Sequence, residues 1–334
     1  MILSILIRGP ILGLILVVMA LVPGTVVAEQ RVTTPTELGA ALKAPETGQI
    51  LLAPGDYGKL KIRGTYPQGL VLRADPPREA RFDTIEISGA VNVTLDGLRI
   101  GGMKTAGKYL QVIDSSRNIT IRDSEIGGPP GSYKGFGIRA ANAAQLVYEN
   151  NYVHHVTNGI ANFQNTDIVL KGNVVDHVAG DSYKFGGVNG GLVENNIGAA
   201  HVSAREGAHN DFMQFQGTPS RNIVIRGNAV LPAEGADASH QGIFVNTKGD
   251  VENFLVEQNI IIGALLRGIS IEDGKNITIR YNTLLDVPGQ AVNSTRIFAN
   301  SNAVIENNIW TEETGRADGS NVVVQHVSPY RAYY

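Results

Sequence analysis

From about residue 90 the chain alternates apolar and polar residues in short runs, and one nine-residue phrase keeps returning. It reads Asn92-Val-Thr-Leu-Asp-Gly-Leu-Arg-Ile, and strong copies begin at Asn118, Asn222, Asn253, Asn276 and Asn302. Weaker copies begin at Gln145, Asp167 and Gly190. Within a phrase the apolar residues alternate, as at Ile119 and Ile121 or Ile277 and Ile279. That two-residue period predicts strands rather than helices. The seventh position falls at Leu98, Ser124, Asn151, Asn173, Asn196, Asn228, Asn259, Asn282 and Asn308, in steps of 26, 27, 22, 23, 32, 31, 23 and 26 residues. A repeat of this length built from short apolar runs predicts a solenoid.

The asparagines have a physical reason to recur. Asn tolerates left-handed backbone angles at a turn, and stacked amides can bond from rung to rung as a ladder. The seventh-position asparagines are therefore expected to be structural. So is the first-position set, which makes the sequons at Asn92, Asn118 and Asn276 poor glycan sites. After each phrase and a variable loop comes another apolar strand, often opening with Gly, as at Gly137-Ile138, Gly159-Ile160, Gly242-Ile243 and Gly268-Ile269. Three short parallel strands per turn with asparagine turns predict an all-β chain, a single-stranded right-handed parallel β-helix of about nine to ten rungs. On these motifs, over about residues 85–310, the sequence resembles the pectate-lyase-like superfamily of secreted polysaccharide-active β-helices.

The ends fit that expectation. Residues 35–42, Pro-Thr-Glu-Leu-Gly-Ala-Ala-Leu, have helical spacing with Thr36 as N-cap, and a strand follows through Leu51, Leu60 and Ile62. A helix and strand of this kind look like the N-terminal cap of β-helical lyases, placing a cap at about 33–65. The tail after Thr311, with Tyr330, Tyr333 and Tyr334, is expected to cover the last rung or fray. At the front, Arg8 precedes an apolar run from Ile11 to Val22, then Pro23, Gly24 and Val26-Val27-Ala28. This reads as a signal peptide over 1–28 cleaved after Ala28, with an uncleaved membrane anchor as the other reading. The run is short for a span of about 20 residues. One domain, 29–334, remains, with no linker.

Composition narrows the class. Hydrophobic residues make up 43% of the 334, charged residues only 18%, and 39 glycines are dispersed among β-branched residues. The net charge of −3 gives no reason to expect nucleic acid as a partner. Without cysteine there is no disulfide and no thiolate-bound metal. A secreted or periplasmic monomer is expected, with no stable membrane span after processing.

Two consecutive rungs are long, and both gain residues between the asparagine turn and the third strand. The insertions are about Ala199 to Asn210, carrying His201, Arg205, Glu206 and His209, and about Pro232 to Ser239, ending at His240. Long loops on a rigid scaffold tend to carry function. Aligning third strands on Ile138, Ile160, Tyr183, Met213, Ile243, Ile269 and Val292 as inward gives an outward column of Arg139, Ala161, Lys184, Gln214, Phe244, Ser270 and Asn293. A second outward column holds Asn158, Asp181, Asp211, Gln241, Arg267 and Gln290. With rungs about 4.8 Å apart, Arg139, Lys184, Asp181, Asp211, Gln214 and His209 are expected to form one patch.

Such a face suits an anionic polysaccharide. A lyase for uronate polymers must neutralise the substrate carboxylate, remove the C5 proton and protonate the departing O4. Lys184 and Arg205 would supply base and positive charge, and His209 the other proton-transfer partner. Asp211 would orient His209 or hold Lys184 charged. Arg139, Asn158, Asp181, Gln214, His240, Gln241 and Arg267 would bind substrate. The chain resembles the alginate lyase and chondroitinase B family, where a Lys and an Arg on successive rungs do this work, but that family's glutamate-rich calcium site is not found. The run His209-Asn-Asp211-Phe-Met-Gln214 is similar to a His-x-Asp-x-x-Gln pattern of bacterial β-helix proteins and to the Asp/His region of alginate C5-epimerases. Epimerases abstract the same proton, so lyase and epimerase stay open.

A hydrolase reading rests on Asp181 and Asp211, whose expected separation of about 5 Å is nearer the retaining geometry. Yet the Asp-Asp pair and Gly-His-Gly of pectin hydrolases are absent, and Asn165-Thr166-Asp167 falls on another face. A non-catalytic adhesin or polysaccharide binder is the remaining class. His154 and His155 are expected to be structural, while His177 and His240 precede third strands near the patch. Calcium needs six to eight oxygens, and Asp181, Asp211 and Glu206 are too few, so no cofactor or metal is expected.

Overall fold

The structure is a computed structural model that describes residues 29–43, 48–102, 109–202, 210–231, 240–263, 267–285, 296–312 and 317–325. The expected leader and its cleavage point, Arg205, Glu206 and His209, the 232–239 insertion, Gln290, Val292, Asn293 and the three C-terminal tyrosines lie outside the described residues.

The chain is an all-β parallel solenoid of about nine turns with almost no helix. Strand pairings sort into three ladders. Phrase starts pair with phrase starts, as in Ala144–Glu149 with Thr166–Lys171 and Asn189–Glu194 with Arg221–Arg226. Phrase ends pair likewise, as in Tyr152–Val156 with Val174–Val178. The third ladder runs through Phe136–Ala141, Asn158–Phe163, Tyr183–Gly186, Asn210–Gly217, His240–Thr247 and Arg267–Ile271. Alternate residues of all three turn inward. Ile119, Ile121, Ile160, Tyr183, Met213, Ile277 and Ile279 belong to one continuous core.

The seventh-position column forms an unbroken ladder. Asn151, Asn173, Asn196, Asn228, Asn259, Asn282 and Asn308 each donate Nδ2 to the Oδ1 of the next, at 2.9–3.1 Å, and the ladder ends on Asn321. Each Oδ1 also accepts the backbone N–H of the residue below, as from Asn173 to Asn196 at 3.0 Å. A buried amide left unpaired costs roughly 1–3 kcal/mol, and here each is paired. One detail differs from expectation. The left-handed backbone falls on the first and sixth positions, such as Asn118 (φ 54), Asn150 (φ 53), Asn195 (φ 55) and Tyr281 (φ 57), not on the seventh. The buried seventh asparagine is selected for its amide, and its exposed neighbour for the turn.

The helix spans Pro35–Ala41 and buries Leu38 and Ala41. Its N-cap is Thr34 rather than Thr36: Thr34 Oγ1 accepts from the Glu37 N–H at 3.2 Å. Pro35 fills the next position, where a missing N–H costs nothing. At the other end Asn321–Gln325, in the described part of the tail, adds a further parallel strand onto Ile309–Glu312. Among the described residues no helix is long and apolar enough to cross a membrane.

Candidate functional site

The third ladder makes the site because two consecutive residues turn into the core where each strand begins. A Cβ on Gly137 would lie 2.4 Å from Val153 Cγ1, and one on Gly159 2.4 Å from Ser182 O. One on Gly242 would lie 1.9 Å from Gly268 O, so this position is glycine by close approach. The residue before the glycine and the one after the isoleucine, three apart, then share the outer face. Rungs at Tyr183 and Met213 carry Ser182 and Phe212 there instead. Phe212 is fully buried and packs edge-on to Tyr183, and the facing residue is Gly198, whose Cβ would lie 2.5 Å from the Phe212 ring. The Phe212 ring thus fills the space that a side chain at residue 198 would occupy.

Register places the outward column as expected. Arg139, Ala161, Lys184, Gln214, Phe244 and Ser270 follow one another rung by rung. The last inward member is Ile297, which pairs with Ile269 where Val292 was expected.

Lys184, Asp181, Gln214 and Asp211 are joined across two rungs. Lys184 Nζ donates to Asp181 Oδ2 at 2.7 Å and to Gln214 Oε1. Gln214 Nε2 donates to Asp211 Oδ2 at 2.8 Å. Asp181, not Asp211, therefore pairs with the lysine. An ammonium has three donors, two are used here, and the side chain is 19% exposed, so the third remains for a ligand. Asp181 Oδ1 accepts the Asp211 N–H, and Asn158 Oδ1 accepts the Asp181 N–H, a side-chain-to-backbone ladder like that of the asparagines.

Both carboxyls are buried, and burial raises both above the ordinary carboxylate range. Asp181 is held back by Lys184. Asp211 is pushed up to about 8, by burial first and then by the charge of Asp181. Two neighbouring carboxyls that cannot both ionise are expected to share this behaviour. At neutral pH Asp211 is mostly a neutral acid, beside Asp181 and its lysine partner.

The flanks are aromatic. Arg139 lies 5.5 Å from the ring centres of both Tyr109 and Phe163. Arg267 lies over Phe244 at 5.3 Å and Phe298 at 5.6 Å, with Glu272 at 3.4 Å from its guanidinium. Of these rings only Phe244 stood out in the sequence. Tyr109, Phe163 and Phe298 become visible once register is known. Gln241 adjoins Asp211 in the ladder. His240, expected to bind substrate at the surface, is 1% exposed and stacks on His201 at 4.7 Å beneath the face. His201 also bonds Ser182 Oγ at 2.9 Å, and burial keeps its ring well below the ordinary histidine range.

A second cluster lies on the adjoining ladder. His154 Nδ1 and His155 Nδ1 are 2.8 Å apart, His155 stacks on His177 at 5.0 Å, and His177 Nδ1 is 2.9 Å from Asp176. Tyr152 donates to Asp176 and Glu125 approaches His154. These groups stack and pair across neighbouring rungs, although His177 Nδ1 makes no hydrogen bond of good geometry. Among the described residues no three His, Asp or Glu side chains are placed to hold a metal ion.

Comparison with known proteins agrees with this architecture. Solved structures similar to the chain include a tailspike, an alginate lyase and an adhesin. The Dettilon tailspike protein has a TM-score of 0.62 at 13% identity, covering 85% of this chain and 59% of its own, so the chain spans about three fifths of the tailspike. An alginate lyase from a Paenibacillus strain has a TM-score of 0.54 at 14% identity, covering 89% of this chain and 98% of its own. A surface adhesin of Streptococcus pneumoniae has a TM-score of 0.55 at 12% identity, covering 81% and 88%. At these identities the likeness shows the fold alone. No curated protein matches by sequence. Residues 83–284, more than half of the chain, match the model described as "Right handed beta helix region". With its parallel ladders and matched rungs, the chain belongs to the right-handed β-helix family.

Proposed function

We propose that this is a polysaccharide lyase acting outside the cytoplasm on a uronate-containing polymer by β-elimination. The observation that carries the reading is the Lys184 ammonium, held by Asp181 and Gln214 with a donor to spare, on a face flanked by Arg139 and Arg267. Asp211 supports it, because a mostly neutral acid beneath the face does not repel a substrate carboxylate.

The carboxylate of the reacting sugar docks on Lys184, and neutralising it makes the C5 proton acidic. His209, on the insertion that enters the strand at Asn210, takes that proton, and Arg205 adds positive charge. The electron pair forms the C4–C5 double bond as the C4–O4 bond breaks. The departing O4 takes a proton from solvent, while Lys184 keeps its own and goes on neutralising the carboxylate. Likeness to an alginate lyase of nearly matching length supports the class, and tailspike and adhesin likenesses support an extracellular setting.

A hydrolase is the second reading, favoured by the neighbouring carboxyls with one raised to about 8. Elimination is preferred because Asp181 and Asp211 are only 4% and 0% exposed, too enclosed to reach a glycosidic bond. The test mixes the protein with alginate, pectate and bacterial acidic exopolysaccharides. Ultraviolet absorbance of an unsaturated uronate should rise together with reducing ends. Reducing ends without that absorbance would replace the lyase with a hydrolase, a changed sugar spectrum alone would indicate an epimerase, and binding without either would indicate an adhesin.

A further inference from the structure

Arg139 differs from several other arginines on the strand faces. Arg122, Arg226, Arg267 and Arg280 each meet a carboxylate at 2.7–3.4 Å. Among the described residues no carboxylate pairs with Arg139. Its guanidinium carbon instead lies over both the Tyr109 and the Phe163 rings, 5.5 Å from each centre, and these contacts restrain the side chain without using its N–H donors. An arginine preorganised in this way suits bidentate recognition of a planar anion, because less freedom is lost on binding. One rung further comes Ala161, a side chain too short to intervene, and on the next rung Lys184. Two cations therefore face outward two rungs apart, roughly 9.6 Å at about 4.8 Å per rung. That spacing is close to the length of an extended disaccharide.

We propose that Arg139 is a carboxylate receptor, holding the acidic group of the sugar two residues from the one docked on Lys184. The face then selects an extended polyuronate that presents a carboxylate to it on alternate residues. A chain of isolated acids among neutral sugars would satisfy only one of the two. This rests on the reading of the face as polysaccharide-active and adds the charge register of its substrate. A guanidinium alone, free in solvent, would carry no such register. The two ring contacts and the fixed rung spacing supply it.

The experiment is calorimetric binding of uronate oligomers of defined length, and of the same oligomers with carboxyls reduced to alcohols. Wild type is compared with Arg139→Gln and Arg139→Lys. Loss of a charge-assisted pair is expected to weaken tetrauronate binding by roughly tenfold or more in Arg139→Gln. Arg139→Lys should recover only part, since lysine lacks the planar fork. Diuronate, too short to reach from Lys184 to Arg139, and reduced tetramer should bind equally to all three proteins, and unchanged diuronate binding also shows the variants are folded. Equal tetrauronate affinity in wild type and Arg139→Gln, or an equal loss on the reduced oligomer, would overturn the receptor. Elimination by Arg139→Gln with unchanged tetrauronate affinity would remove the receptor and leave the lyase. Arg139-dependent binding without elimination would do the reverse.

Discussion

The backbone N–H of Asp211 donates to Asp181 Oδ1 at 3.2 Å, so the carboxylate of one rung holds the strand that carries the carboxyl of the next. Asp181 thereby serves two structures at once. One oxygen belongs to the solenoid and the other to Lys184, at 2.7 Å.

This arrangement makes stability depend on pH through Asp211. Its carboxyl rises from the ordinary 3.8 to about 8 in the folded chain. Between those values the unfolded chain has released the proton and the folded chain keeps it. The folded state binds more protons, so its stability falls as pH rises through this window. Asp181 is raised in the same direction. Melting temperatures measured from pH 4 to pH 8, about the span of that shift, should fall more steeply for wild type than for Asp211→Asn. Parallel curves would show that Asp211 ionises normally.

Removing the lysine should expose the cost of its partner. Lys184→Met leaves Asp181, with a side chain only 6% exposed, without its cation. Breaking a buried pair costs about 3 kcal/mol or more, and the cost should be larger at higher pH, where Asp181 must ionise or hold its proton. Adding Asp181→Asn should recover stability in urea unfolding while turnover stays lost. Recovery of turnover in the double variant would take Lys184 out of the chemistry.

Neighbouring asparagines should behave oppositely. Asn196 is fully buried, and its Nδ2 donates to Leu170 O and Asn228 Oδ1. Its Oδ1 accepts both Asn173 donors. Asn196→Ala orphans these groups and should cost at least about 2 kcal/mol. Asn195 is exposed with φ 55, a conformation glycine adopts without strain, so Asn195→Gly should change chemical unfolding by only a few tenths of a kcal/mol. Similar losses in both would mean that the amide ladder is not what holds the rung.

The Phe212–Gly198 contact predicts coupling. Gly198→Ala places a methyl against the Phe212 ring and should cost about 1–3 kcal/mol through overpacking. Phe212→Gly opens a cavity of comparable or greater cost. Combining Phe212→Gly with Gly198→Val fills part of the space that the ring leaves and should be less destabilising than the sum of the single changes. Additive costs from a thermodynamic cycle would dismiss the compensation.

Much of the fold was legible because each rung repeats the same physical problem. Strand alternation, the seventh-position ladder and the third-strand column from Arg139 to Ser270 all follow from a period of two and a repeat length. Less legible were features set by neighbours a full rung away. Thr34 rather than Thr36 caps the helix because Pro35 takes the first turn. Lys184 chooses Asp181 because the double inward step puts residues three apart on one face. His240 reads as a surface residue until the stack on His201 places it under the strip.

By itself the sequence determined the scaffold: a solenoid, its turn chemistry, and which residues line the outer face of its third strands. Local periodicity carries that information, since apolar residues must reach the core and each buried amide must find a partner one repeat away. The tertiary structure decided the site's chemistry. Only when rungs stack does Asp211 lose water next to Asp181 and hold its proton, and only then do Tyr109 and Phe163, far apart in sequence, close on Arg139. Desolvation and contact between rungs depend on distances that no single repeat contains.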